Sequence, residues 1–191
     1  MEEQTAGRWF HSDTRFGPLF HAHLFAAQEN SGKLVTLVKQ QGRLRALDEG
    51  RQLLIVDGPP GIGCPVISAS AGADLALLVV EPTVSGVHDL ERILATTDHF
   101  GVPALVCINK VDINPGRAAE VEAFCASRGI EVVGRIPFDT VVTEAMVQGQ
   151  PVTAYTACPE PCPERSRRGG RRDGPVSLAL LEVWERLKVY I

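Results

Sequence analysis

Long apolar runs are missing from this chain. The longest strongly apolar stretches, such as residues 75–80, are far too short to span a bilayer, and residues 1–10 carry no apolar leader core. A soluble, cytoplasmic protein without a transmembrane segment is the expectation. An excess of charge of one sign is also missing: 19 Lys and Arg stand against 23 Asp and Glu, a formal net charge of -4. That balance gives no overall electrostatic reason to expect nucleic acid as a partner. Cysteine is scarce and odd in number, five residues scattered at 64, 107, 125, 158 and 162. Such a set fits reduced thiols better than a disulfide framework. With 191 residues, 45 % of them hydrophobic, the chain is long enough for one domain with a substantial core.

Two short stretches, 8–12 and 19–25, flank the turn-like Asp13-Thr-Arg-Phe-Gly17 and predict a peripheral β-hairpin. Asn30 or Ser31 can cap a following helix, whose apolar residues Leu34, Val35, Leu37, Val38, Leu44 and Leu47 recur at helical spacing and should face a sheet. From residue 52 the pattern is regular. Apolar runs at 53–56, 75–80, 104–108 and 131–136 alternate with helices expected at 88–99, 117–128 and 143–148. Short unbroken apolar runs separated by helices imply a doubly wound, mainly parallel α/β sheet covered on both faces. Residues 156–175, rich in Pro, Gly and Arg, have little to bury and read as a disordered insertion. Residues 176–191 return as a final helix of the domain begun by residues 1–155.

Ligands of open parallel sheets bind beyond the carboxyl ends of the strands. The first such loop is Asp57-Gly-Pro-Pro-Gly61-Ile-Gly63-Cys64-Pro65. An aspartate there can hold Mg²⁺ through a water, and a following glycine can offer its N–H to a terminal phosphate. Asp57 and Gly61 fit those catalytic roles; equally, Asp57 can simply cap the next helix. The second loop, Asn109-Lys110-Val111-Asp112, suits a purine: the amide pairs with its edge, the lysine stem covers the ring, and the carboxylate accepts from an exocyclic amine. The third, Gly134-Arg-Ile-Pro137-Phe-Asp139, is a proline-restricted turn that either closes over the base or only ends a strand.

Together these segments resemble the MinD/ParA class of P-loop ATPases, and more closely the MinD-superfamily ATPases that carry an inserted ferredoxin module. The resemblance covers roughly residues 17–155. It rests on Asn30-Ser-Gly-Lys-Leu-Val35, Asp57-Gly-Pro-Pro-Gly-Ile-Gly-Cys-Pro65, Glu81-Pro-Thr-Val-Ser-Gly-Val-His-Asp89 and Asn109-Lys-Val-Asp112. It implies ATP and Mg²⁺ as cofactors, with Asp57 and Gly61 sensing the metal and the γ-phosphate. Asn109 and Asp112 would contact the base, and Glu81-Pro82-Thr83 would lie beside the nucleotide. A homodimer is the implied assembly.

The departures from that family are as informative. Its members open with a strand and a glycine-rich loop ending in Gly-Lys-Ser/Thr, whose amides cradle phosphates. Here the only Gly-Lys pair is Gly32-Lys33, followed by Leu34. The cysteine runs of a ferredoxin are absent as well. An iron–sulfur cluster would then belong to a missing portion or a partner, with a split or truncated gene, or a complementing chain carrying the phosphate loop, as the explanation. The expected function is ATP binding and hydrolysis linked to iron–sulfur redox chemistry, inactive in isolation; the alternatives are a non-enzymatic interaction module or gene remnant, and a GTPase. Cys64 is the cysteine placed for a redox role, whereas Cys107 and Cys125 read as small core hydrophobes. His11, His21 and His23 in the hairpin offer a metal-binding spacing, but a solvated strand face explains them as well. Asp89, Glu91 and Arg92 read as an exposed helix start.

Overall fold

The computed structural model describes residues 7–25, 31–155 and 174–191. Asn30, Cys158, Cys162 and all but the last two residues of the expected insertion lie outside them. The chain divides into two compact units.

The first unit comprises residues up to Asp74 together with Ala95–Val102. It opens with the expected hairpin, β1 (Gly7–Thr14) and β2 (Gly17–Leu24), paired antiparallel from Gly7↔Leu24 to Thr14↔Gly17. The tip is closed by Thr14, whose Oγ1 donates to the Gly17 carbonyl at 2.7 Å and accepts the Phe16 N–H at 3.1 Å. Ser12 Oγ and His21 Nε2 share a hydrogen bond at 3.1 Å, and His11 stacks on Phe20. Among the described residues no group of three His, Cys, Asp or Glu side chains is placed to hold a metal ion.

Helix α1 (Ser31–Asp48) packs on the hairpin and on α2 (Cys64–Ser70). Two glycines allow this. A Cβ at Gly42 would press on Leu54 and Phe20, and one at Gly32 would stand 3.2 Å from both Cys64 Cβ and Ser68 Oγ. Gly32 thus serves helix packing, and Lys33 is an exposed residue of the first helical turn. Lys39 closes the far end of α2, its Nζ donating to the carbonyls of Ser68, Ala69 and Ala71 at 3.3, 2.8 and 2.6 Å. A cation on the last carbonyls of a helix satisfies acceptors that have no partner within the helix. Burial, and then nearby Arg43, lowers the Lys39 pKa below the usual lysine value.

One expected element is not a strand. Residues 53–56 have no regular structure and no ladder partner among the described residues, leaving Leu53, Leu54, Ile55 and Val56 between 38 % and 78 % exposed. Apolarity favours burial, but a strand exists only where a neighbour supplies donors and acceptors.

The second unit, Leu75–Leu94 with Pro103–Ile191, holds a three-stranded parallel sheet in the order β3 (Ala76–Val80), β4 (Ala104–Asn109), β5 (Val132–Ile136). Successive residues of β4 feed opposite faces. Val106 and Ile108, both fully buried, pack with Leu90 and Leu94 of α3 (Val84–His99) and with Val121 and Cys125 of α4 (Pro115–Ser127). Leu105 and Cys107 pack with Val133 and with Val183 of the last helix, Pro175–Leu187. Helices on both faces of a parallel sheet make this the α/β layer architecture expected for a P-loop-like fold. Burial raises the Cys107 thiol pKa to about 11 and also raises that of Cys125, as expected of thiols acting as small core hydrophobes.

Helix starts lie upstream of where apolar spacing places them. Asn114 caps α4 by accepting the Arg117 N–H at 3.1 Å, and Asp139 caps α5 (Thr140–Val147) by accepting the Val141 N–H at 2.9 Å. The last helix, α6, starts from Gly174 with Pro175 in its first turn and stops at Leu187, short of the expected end. Capping residues and N-terminal prolines are polar or special and leave no mark in an apolar period.

Candidate functional site

In the second unit, three strand ends carry the candidate residues. β3 ends at Val80 and is followed by Glu81, Pro82 and Thr83; β4 ends at Asn109 and runs into Lys110 and Asp112; β5 ends at Ile136 before Pro137. Asn109 pairs in register with Ile136, so the second and third loops leave the sheet at the same level.

These loops are cross-braced. Lys110 Nζ meets Glu81 Oε1 at 2.7 Å, joining the turns after β3 and β4. The Val111 N–H donates to the Ile136 carbonyl at 3.0 Å, and Asp112 Oδ1 accepts the Phe138 N–H at 2.7 Å, joining the turns after β4 and β5. Lys110 has φ 55°, the only positive φ at a non-glycine residue among those described. That conformation costs an L-residue about 1–2 kcal/mol. The salt bridge to Glu81 and the Ile113 N–H on the Lys110 carbonyl at 3.1 Å hold it there. Backbone held in a sparsely populated region by its surroundings is a pointer to function. Both partners of the ion pair are part-exposed, so its role is in aligning loops more than in stability.

The turn after β3 is equally determined. Thr83 Oγ1 accepts the Gly86 N–H at 3.0 Å, and a Cβ on Gly86 would run into the Glu81 backbone carbonyl. Gly86→Ala is therefore expected to force this turn open, draw Glu81 off Lys110 and destabilise the second unit by about 1–3 kcal/mol, read from urea denaturation midpoints. An unchanged midpoint would mean that the turn yields freely.

The other candidate loop lies in the first unit. Asp57 is exposed in the irregular segment before α2. It does not cap that helix, whose N-cap is Gly63 with no side-chain hydrogen bond. Gly61 has φ 87°, a left-handed conformation that favours glycine and turns the backbone sharply. Cys64 is exposed as the first residue of α2.

Glu81, Pro82, Asn109, Lys110, Asp112 and Pro137 are thus gathered in one unit, and Asp57, Gly61 and Cys64 in the other. Sequence reasoning passed over Phe138 and Gly86. The signal for Phe138 was its place between a proline and the helix-capping Asp139; Gly86 is a glycine within a helix, where its presence asks for a packing reason.

No protein-family model matches the chain. Among curated proteins it is 39 % identical over 97 residues to an uncharacterised protein of Methanocaldococcus jannaschii, covering 51 % of this chain and 34 % of that one. An uncharacterised ATP-binding protein of the same organism is 31 % identical over 110 residues, 57 % of this chain and 41 % of its own length. The septum site-determining protein MinD of Bacillus subtilis is 27 % identical over 147 residues, 73 % of this chain and 54 % of its own. The chain therefore spans between about a third and somewhat over half of these relatives. Among solved structures, the MinD cell division protein of Aquifex aeolicus superposes with a TM-score of 0.62 at 21 % identity, covering 88 % of this chain and 64 % of that one. MinD of Pyrococcus horikoshii, complexed with Mg-ADP, superposes with a TM-score of 0.61 at 18 % identity, covering 82 % and 56 %.

Proposed function

We propose that this chain, related to the MinD/ParA class of P-loop ATPases over part of their length, contributes the base-binding and metal-sensing segments of a Mg-ATP site. The observation carrying this reading is the braced set of strand ends, where Glu81 holds Lys110 and the Asn109-Lys110-Val111-Asp112 loop is tied to the Pro137 turn. Asn109, at the end of a buried strand, presents an amide suited to a purine edge. In this reading the Pro137 turn would border the base, and the Lys110 stem, held on Glu81, would lie beside it.

Asp57 and Gly61 fit the metal and phosphate roles by their chemistry. Mg²⁺ keeps several waters and takes one or two carboxylates plus phosphate oxygens, so a single exposed carboxylate such as Asp57 is an adequate protein donor. Bound there, the ion would offset phosphate charge during hydrolysis. Gly61, left-handed at φ 87°, would offer its N–H to a terminal phosphate. An iron–sulfur cluster has no ligand set in the described residues, because Cys107 and Cys125 are buried and Cys64 is alone on the surface. We assign any link to iron–sulfur chemistry to another portion or a partner, because the sequence lacks the cysteine runs of a ferredoxin.

Hydrolysis requires in addition a lysine-bearing phosphate loop, which this sequence does not contain. We assign that loop to a complementing chain or a second segment. Among the described residues β3 has a strand partner on one side only, so its other edge can accept a further strand. A homodimer is the alternative assembly. Among the described residues no helix is long and apolar enough to cross a membrane.

The second reading, a nucleotide-independent interaction module, is favoured by the missing phosphate loop. Calorimetry with Mg-ATP and Mg-GTP on the purified chain separates the two. The proposed site predicts ATP binding weakened by Asn109→Ala and by Asp57→Ala; a folded chain that binds neither nucleotide would overturn the ATPase reading for the chain alone and leave it only to a complex with the missing portion.

A further inference from the structure

We infer that Asp112 is a positioning residue that aims the ring of Phe138 at the nucleobase, in place of a carboxylate that reads the base directly. The inference rests on the nucleotide reading above and deepens it. In an Asn-Lys-x-Asp loop the last carboxylate is the expected receiver of an exocyclic amine. Here Asp112 Oδ1 instead accepts the backbone N–H of Phe138 at 2.7 Å. Oδ2 keeps its acceptor sites, so what this bond fixes is the course of the Phe138 turn.

That hydrogen bond has a definite consequence for the turn. Pro137 fixes its own φ and pushes Ile136 toward extended backbone, so the chain leaves β5 in one direction. The Val111 N–H holds the Ile136 carbonyl from one side, and Asp139 ends the turn by capping α5 through the Val141 N–H. Phe138 stands between these anchors, its single N–H taken by Asp112. The turn is held on both sides of Phe138, yet the residue is left 49 % exposed. It projects two residues beyond Ile136, the register partner of Asn109. A braced turn that carries a half-exposed aromatic residue two positions beyond the register partner of Asn109 can serve as a stacking platform. Such faces accept either purine, because every base has a π surface. Selection between purines would then fall to Asn109.

The test is calorimetry of Mg-ATP with Phe138→Leu, Phe138→Tyr, Asp112→Ala and Asp112→Asn, alongside hydrogen exchange of the Phe138 amide. Loss of base stacking corresponds to about tenfold or more in affinity. The expected result is such a loss for Phe138→Leu and Asp112→Ala. Phe138→Tyr, which keeps the ring, and Asp112→Asn, whose amide oxygen still accepts the Phe138 N–H, should stay within about twofold. Exchange at Phe138 should accelerate in Asp112→Ala alone. Equal losses in Asp112→Asn and Asp112→Ala would make the carboxylate a base reader and overturn the inference, as would unchanged binding in Phe138→Leu. If the folded wild-type chain binds no Mg-ATP, the nucleotide reading fails and this inference with it, whereas binding that ignores these substitutions sinks the inference alone.

Discussion

Ile108→Ala is expected to destabilise the second unit by about 2–5 kcal/mol, a large share of the roughly 5–15 kcal/mol that holds a domain folded. Ile108 is fully buried in β4 and sits in the cluster that joins Val80, Leu90, Leu94, Val106, Ala118, Val121 and Cys125. Removing three carbons there forfeits their transfer from water and leaves a cavity. The walls come from two helices and two strands, which cannot collapse inward without breaking ladder hydrogen bonds. Ile108 also immediately precedes Asn109, so the loss should reach the candidate site. The measurement is urea denaturation followed by Trp184, which lies in α6, in a Trp9→Phe background that silences the hairpin tryptophan. A loss below about 1 kcal/mol would contradict a close-packed core at this position.

Gly134→Ala is the second. Gly134 is buried in the middle of β5, and a Cβ there would strike Val183 Cγ2 of α6 and stand 3.3 Å from Cys107 Sγ. Val183 cannot step aside easily: it is 5 % exposed, and a valine in a helix has one strongly preferred rotamer. The helix must lift from the sheet instead. Overpacking of this kind costs about 1–3 kcal/mol, and here it falls on the contact that docks α6. Gly134→Ala with Val183→Ala should recover part of the loss, because the smaller helix residue makes room for the new methyl. Trp184 fluorescence during urea denaturation reads both variants. If the single variant is as stable as wild type, α6 is not seated on β5 through this contact.

Much of the architecture was legible because it follows from local pattern. The hairpin around Asp13–Gly17, the three runs that became β3, β4 and β5, and the helices between them all appear where apolar period and turn residues place them. Buried strands of a parallel sheet are apolar on both faces and so announce themselves as short unbroken runs. Helix starts were less legible: Asn114 and Asp139 act through single hydrogen bonds to the backbone. The gathering of Glu81, Asn109, Lys110, Asp112 and Pro137 in one unit was also foreseeable in kind, since each follows a strand of one parallel sheet.

What the amino-acid order determined by itself is therefore the set of elements, their sequence and the chemistry available at each strand end. Tertiary structure alone decided which runs became strands and which partners the polar groups took. Residues 53–56 are as apolar as 76–80, but among the described residues only the latter found a ladder, because hydrogen-bond partners come from distant segments and leave no local trace. The same holds at the site. Neither the left-handed Lys110 on Glu81, nor Asp112 on the Phe138 amide, nor Gly134 beneath Val183 can be read from spacing, since each contact joins segments that only the folded sheet brings together.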